Sequence, residues 1–283
     1  MGIFSREIEN KLRFDINKTI NGWKISYGAM AQYVKSNNDN FKRLRKEIRD
    51  QGGNLVQPAV VLDYESDIVF MRYGLFSQIG RRYFNNRLGL SAGLRSDMNG
   101  FTNDGMNPLQ TLSPRFSASY VLADKWTLNG SIGLYYKLAP YTVLSFRDNN
   151  NNLLNQDADY TRSIHYTIGT EYLPSNSTRF TLEAFYKKYS QVPVSVRDGI
   201  SLANLGGDFG VVGNEDVITN GKGTTYGVEF FAQQKLTNRF FGTFSYTFFV
   251  SRYSGLNGKE IASAWDNRHL LSFIWGYKFN RNW

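Results

Sequence analysis

Trp126-Thr127-Leu128-Asn129-Gly130-Ser131-Ile132-Gly133-Leu134-Tyr135-Tyr136-Lys137 decides the fold. Trp126, Leu128, Ile132, Leu134 and Tyr136 alternate with Thr127, Asn129, Ser131 and Lys137. A period of two is the signature of a strand with one apolar and one polar face, and helical i, i+3, i+4 spacing is missing. The polar face carries side chains that a dry core rejects unless each is paired, because an unpaired buried polar group costs a few kcal/mol, roughly. That face therefore reads as wet, and its apolar reverse needs hydrocarbon outside it.

The same rhythm runs along the chain in both directions. Trp23, Ile25, Tyr27, Ala29, Ala31 and Tyr33 share one face, with Lys24, Ser26, Gly28, Gln32 and Val34 opposite. Leu88–Leu94, Phe116–Leu122, Ile164–Tyr172, Tyr226–Ala232, Phe240–Val250 and Leu271–Phe279 repeat it. Between these segments, short connections (18–22, 82–86, 123–125, 173–178, 237–239 and 280–282) interleave with long polar ones (36–66, 98–113, 138–160, 190–222 and 252–267). Short turns at one rim and long loops at the other are the arrangement of a membrane β-barrel. All six prolines fall in connections or at a strand start, where a missing N–H is tolerated. Trp23, Trp126, Phe240 and Trp283 follow short turns, and Tyr172, Tyr277 and Phe279 precede them, which predicts an aromatic girdle at headgroup depth.

The fold class read from this pattern is all-β, a transmembrane antiparallel barrel with about eleven strands in residues 1–283. An eleven-strand arc leaves two unpaired edges, and in lipid each orphan amide costs several kcal/mol, roughly. The chain is therefore expected to be part of a larger barrel. Mean hydropathy of −0.41 fits strands that average lipid-facing and water-facing residues. Cysteine is absent, which excludes disulfides, thiolate metal sites and a cysteine nucleophile. A formal charge of +9 includes the cluster Lys42, Arg43, Arg45, Lys46 and Arg49, interspersed with Glu47 and Asp50. The cluster reads as a solvated loop, with attraction to lipopolysaccharide phosphates or an anionic cargo as the functional alternative. Nothing beside it suggests nucleic acid.

Resemblance to a known family enters at a series of motifs. Leu112-Ser113-Pro114-Arg115-Phe116-Ser117-Ala118-Ser119-Tyr120 leads to Asp124-Lys125-Trp126-Thr127-Leu128-Asn129 and Tyr135-Tyr136-Lys137-Leu138-Ala139-Pro140-Tyr141. Tyr226-Gly227-Val228-Glu229-Phe230 with Gln234-Lys235-Leu236-Thr237, Ser263-Ala264-Trp265-Asp266-Asn267-Arg268-His269, and Tyr73-Gly74-Leu75-Phe76-Ser77-Gln78 add to it. From about Asn10 to Trp283 the chain resembles the barrel of TonB-dependent outer-membrane receptors of the Bacteroidetes type. The resemblance implies a 22-stranded barrel in the bacterial outer membrane, filled by an N-terminal plug. Such a receptor binds a scarce nutrient (metal chelate, vitamin or glycan) outside and is energised through TonB. Against that pattern these residues look like the middle of the barrel, with signal peptide, TonB box, plug and closing strands expected to lie outside them.

No enzyme chemistry is expected. The two histidines, His165 and His269, have no partners at catalytic or metal-ligating spacing. Asp148, Asp157 and Asp159 lack the glycine and closing glutamate of a calcium loop. Gly221-Lys222-Gly223-Thr224 fails as a phosphate loop, and no G-x-S-x-G elbow occurs. No cofactor is implied. Ligand contacts are expected from lumen-facing or loop-facing side chains, with Arg95, Asp97, Tyr135, Lys137, Arg162 and His165 as candidates. A passive outer-membrane channel and a soluble β-sandwich binding module are the competing readings.

Overall fold

A computed structural model of the chain describes residues 2–148, 150–205 and 215–279. Its strands are β1 (Gly2–Ile20), β2 (Trp23–Arg45), β3 (Ile48–Arg49), β4 (Leu55–Gln57), β5 (Val60–Tyr83), β6 (Leu88–Asn99), β7 (Ser113–Ala123), β8 (Trp126–Lys137), β9 (Thr161–Ser175), β10 (Thr178–Ser195), β11 (Val217–Thr237), β12 (Phe240–Ser254), β13 (Glu260–Ala262) and β14 (His269–Tyr277). Among the described residues one short helix, α1 (Tyr141–Leu144), and a 3-10 turn at Leu202–Asn204 interrupt the loops.

Every long strand pairs antiparallel with its neighbour in sequence, giving a single 12-stranded sheet ordered β1-β2-β5-β6-β7-β8-β9-β10-β11-β12-β13, with β14 also on β12. β13 and β14 occupy the same edge of β12, at Arg252–Ser254 and Phe240–Phe248 respectively. They act as one interrupted strand, so the eleven long strands among the described residues (β1, β2, β5–β12 and β14) match the sequence reading. Among the described residues β1 does not pair with β14, and the sheet is an open arc. A sandwich would bury Ile132 and Phe273 in a dry centre. They are instead 43% and 59% exposed, on the apolar side of a single layer.

The short turns use the chemistry their geometry requires. Ile20 pairs with Trp23, so Asn21 and Gly22 form a two-residue hairpin with φ of 50° and 81°. Both positive values suit the primed turn whose twist matches the strands, and Asn-Gly is its commonest sequence. Asn238, at φ 54°, plays the same part between β11 and β12.

Outward aromatics stack across strands at this rim. Trp126 lies 4.4 Å from Tyr172, Tyr172 6.4 Å from Phe180, Phe180 6.4 Å from Phe230, and Phe230 6.0 Å from Phe244. Arg81 covers Trp23 and Tyr83 at 5.1 and 5.4 Å. This is the expected girdle, apart from Trp283, which lies outside the described residues together with the 280–282 turn.

Two expectations are corrected. Residues 36–66 are not simply a loop, because β2 extends to Arg45 and β5 begins at Val60, with the small β3–β4 pair between them. Polar composition concealed this hairpin, whose backbone ladder continues where amphipathic patterning ends. In the basic cluster, Arg49 is tied to Glu47 at 3.1 Å, while the side chains of Lys42, Arg43 and Arg45 lie outside the described ones. Pro193 sits within β10 rather than in a connection, at a register shift between Val192 and Val194 where a proline is accommodated.

Ile168, 69% exposed on the outward face of β9, lies near the middle of its strand, and its neighbour Thr167 faces inward. Ile168→Arg should destabilise the inserted barrel by about 2–4 kcal/mol, and Thr167→Arg by much less. Denaturant titration in vesicles checks the difference.

Candidate functional site: the inner wall at the long-loop end

Register places Gly133, Arg115 and His165 side by side on the inward face, with Lys187 opposite His165. Above them a run of stacked rings crosses the wall. The Arg115 guanidinium sits 4.3 Å from the Tyr135 ring centre. Tyr135 lies 4.4 Å from His165, His165 6.4 Å from Tyr189, and Tyr189 5.3 Å from Tyr253. Trp265, between β13 and β14, ends the run 6.0 Å from Tyr253. Two glycines make room for it. A Cβ on Gly133 would stand 2.8 Å from the Tyr135 ring, and one on Gly223 2.2 Å from the Tyr253 ring.

Cations dominate beside the rings. Arg95 forms a two-pronged pair with Asp97 at 2.7 and 2.5 Å, and Arg13 pairs with Asp15 at 2.7 Å while covering Phe76. Among the described residues Arg115 and Lys187 have no carboxylate within ion-pair distance. A wall of rings with two uncompensated cations is suited to an anionic ligand with a flat or conjugated part, held by stacking and by charge-assisted hydrogen bonds.

Of the six candidates, Tyr135 and His165 are in the stack, and Arg95 and Asp97 line the wall two strands from Tyr135. Lys137 shares Tyr135's face at the exposed end of β8. Arg162 does not join them. It is opposite Tyr136 in an unbroken register and shares the face of Ile164, Tyr166 and Ile168, so it points outward. The sequence reading missed Lys187, Tyr189, Tyr253 and Trp265 as members of the site. Alternation gave Arg115 a face, whereas Tyr253 was read as part of the 252–267 loop and lies instead in β12; only cross-strand register brings the two onto one wall.

A strap closes over one side of this wall. The β8–β9 connection, read as a long polar loop, folds inward and buries Val143 and Leu144 of α1 against Val34, Ile68 and Phe70 of β2 and β5. Part of the upper interior is thus dry, contrary to the wet bore expected throughout. The Tyr141 hydroxyl donates to Glu9 Oε1 at 2.6 Å and accepts from Arg72 Nη1 at 3.3 Å, with its ring edge-on to Phe70. Burial pushes this phenol up to about 12, with the Glu9 hydrogen bond adding to the effect. Asn155, fully buried, donates to the Val143 and Glu215 carbonyls at 2.7 and 2.9 Å and accepts from the Val217 amide at 3.0 Å. It ties the strap to the start of β11.

The family model described as "TonB dependent receptor-like, beta-barrel" matches residues 4–283. The chain belongs to this family. It is accordingly an outer-membrane β-barrel segment. Solved structures share the fold at low identity. The ferripyoverdine receptor of Pseudomonas aeruginosa superposes with a TM-score of 0.62 at 16% identity, over 98% of this chain and 36% of that one. The FrpB iron transporter of Neisseria meningitidis gives 0.62 at 12% identity, over 98% and 41%. The siderophore receptor PirA of P. aeruginosa gives 0.56 at 17%, over 88% and 44%. The chain therefore spans less than half the length of each of these receptors. No curated protein matches it significantly in sequence.

Asn155→Ala should leave the Val143, Glu215 and Val217 backbone groups short of partners, at a cost of about 1–3 kcal/mol. Hydrogen exchange should show the Val217 amide losing roughly tenfold or more of its protection while mid-strand amides are unchanged.

Proposed function

We propose that this barrel segment belongs to an energy-coupled receptor that imports a small anionic nutrient, with a metal chelate favoured over a vitamin or a glycan. The observation that carries the reading is the Arg115–Tyr135–His165 stack beside Lys187, whose ammonium covers the Phe185 ring at 5.1 Å and has no carboxylate partner among the described residues, at the end of the wall that bears the long loops. The rings hold a planar chelating group and the cations offset its negative charge. Arg95, Asp97 and Lys137 extend the contact surface, and Arg162 is withdrawn from it because it faces outward. The solved relatives named for iron and siderophores support the chelate class. By family membership, transport would require a plug in the bore and TonB on the periplasmic side, while the apolar face meets outer-membrane lipid and lipopolysaccharide.

The intact receptor, expressed as the sole uptake route in iron-limited cells, tests this with ferric catecholate and ferric hydroxamate chelates carrying radioiron. Uptake of one of them should be saturable and should stop when the inner membrane is uncoupled. Arg115→Gln should weaken its apparent affinity by about tenfold or more, as loss of a charge-assisted contact does. Uptake that persists after uncoupling would favour the passive-channel reading instead.

A further inference from the structure

Arg162, misplaced by the sequence reading, is one of four outward cations that the register gathers at the long-loop end of β9–β12. Lys188 pairs with Ile164 on one side and Thr224 on the other, and Thr224 pairs with Arg252. Lys188 and Arg252 thus flank the Thr224 hydroxyl in one cross-strand row, about 10 Å apart at ordinary strand spacing. Arg162 and Lys222 sit two positions further toward the loops on β9 and β11. All four are exposed, and none has an ion-pair partner among the described residues. Among the described residues the Glu260 carboxylate reaches this group, accepting from Thr224 Oγ1 at 3.4 Å.

Their depth is set by the girdle at the other rim. From Tyr172 to Arg162, and from Trp126 to its neighbour Tyr136, is about ten residues, the length of one strand crossing of a bilayer. Just inside the cations, Tyr166, Tyr186 and Tyr226 stand directly opposite one another in a second outward row. Tyrosine favours the headgroup boundary, so the cations lie at the level of headgroup phosphates. The other half of the sheet is different. At the same depth β1–β8 present Asn10, Tyr33, Met71, Met98 and Tyr136, and the outward Arg6 and Lys35 above them are accompanied by Asp39, Glu65 and Asp67. Among the described side chains at this end, outward positive charge in excess of outward carboxylates is thus concentrated on four adjacent strands, where a band that merely followed the membrane surface would be spread along the whole sheet.

We infer that Arg162, Lys188, Lys222 and Arg252 form a binding site for the phosphorylated glycolipid of the outer leaflet. The inference rests on the membrane placement given above and commits to lipopolysaccharide, because the long-loop rim faces the cell exterior. Its diphosphorylated headgroup would bridge the Lys188–Arg252 pair, with Arg162 and Lys222 above. Its acyl chains would lie along the tyrosine row and Ile168. The basic loop cluster first considered for these phosphates is then not required.

The test uses the intact receptor extracted gently from outer membranes, with bound glycolipid counted by native mass spectrometry. A variant carrying Arg162→Gln, Lys188→Gln, Lys222→Gln and Arg252→Gln should retain about tenfold less glycolipid than the parent. Lys18→Gln with Arg81→Gln, at the opposite rim, should retain the parental amount. Reconstitution with glycolipid stripped of its phosphates should abolish the difference between parent and variant. Should the fourfold variant fail to insert, the single changes Lys188→Gln and Arg252→Gln replace it, each expected to lower retention severalfold. Equal retention by parent and inserted variants would overturn the inference, as would equal preference for phosphatidylglycerol. Failure of the parent itself to fold in the membrane would instead refute the barrel reading beneath it.

Discussion

A backbone amide in hydrocarbon has no water to bond to, and this constraint organises the molecule. Each unpaired group costs several kcal/mol, roughly, so a chain crossing the bilayer as strands must pair every one with a neighbouring strand. The sheet does so by joining each strand to the next through the shortest turn the twist allows, as at Asn21-Gly22. The ladder from β1 to β14 follows from that requirement, and the side chains are then sorted by the pleat into two chemically unrelated surfaces.

The outward surface is simple and local, which is why the sequence displayed it. Period-two alternation, Asn and Gly at turns, and aromatics beside those turns are all written within ten or so residues, and they led to the correct fold class, strand number and girdle. Strand ends beyond the membrane were less legible. The β2–β5 hairpin continues through polar residues that carry no amphipathic signal, because its hydrogen-bonded ladder persists in water as it does in lipid.

The inward surface depends on register and on contacts between distant segments, and the sequence conveyed it incompletely. Val34 was assigned to a polar face correctly, yet it is buried, since α1 returns from the far side of β8 to cover it together with Ile68 and Phe70. No local pattern announces such a strap. His165 and Tyr135 were identified singly, but their stacking depends on Gly133 leaving space for a ring from the residue two positions along. Arg162 shows the converse error. Counting by twos from His165 puts it on the other face, a deduction available from the sequence once the strand is accepted as unbroken.

The division between the faces is most directly tested on β9, in a chain that contains no native cysteine. Single cysteines placed in turn at residues 164–168 and 170–172 of the intact receptor in its membrane would be challenged with a charged, water-soluble maleimide and with a lipid-soluble one; buried Ser163 and Gly169, where a Cβ would stand 2.8 Å from the Leu182 carbonyl oxygen, are left unchanged. The water-soluble reagent should label 165, 167 and 171, and the lipid-soluble reagent 164, 166, 168, 170 and 172. Uniform protection of the even positions from both reagents would mean that they lie in a packed protein interior, and would contradict the barrel.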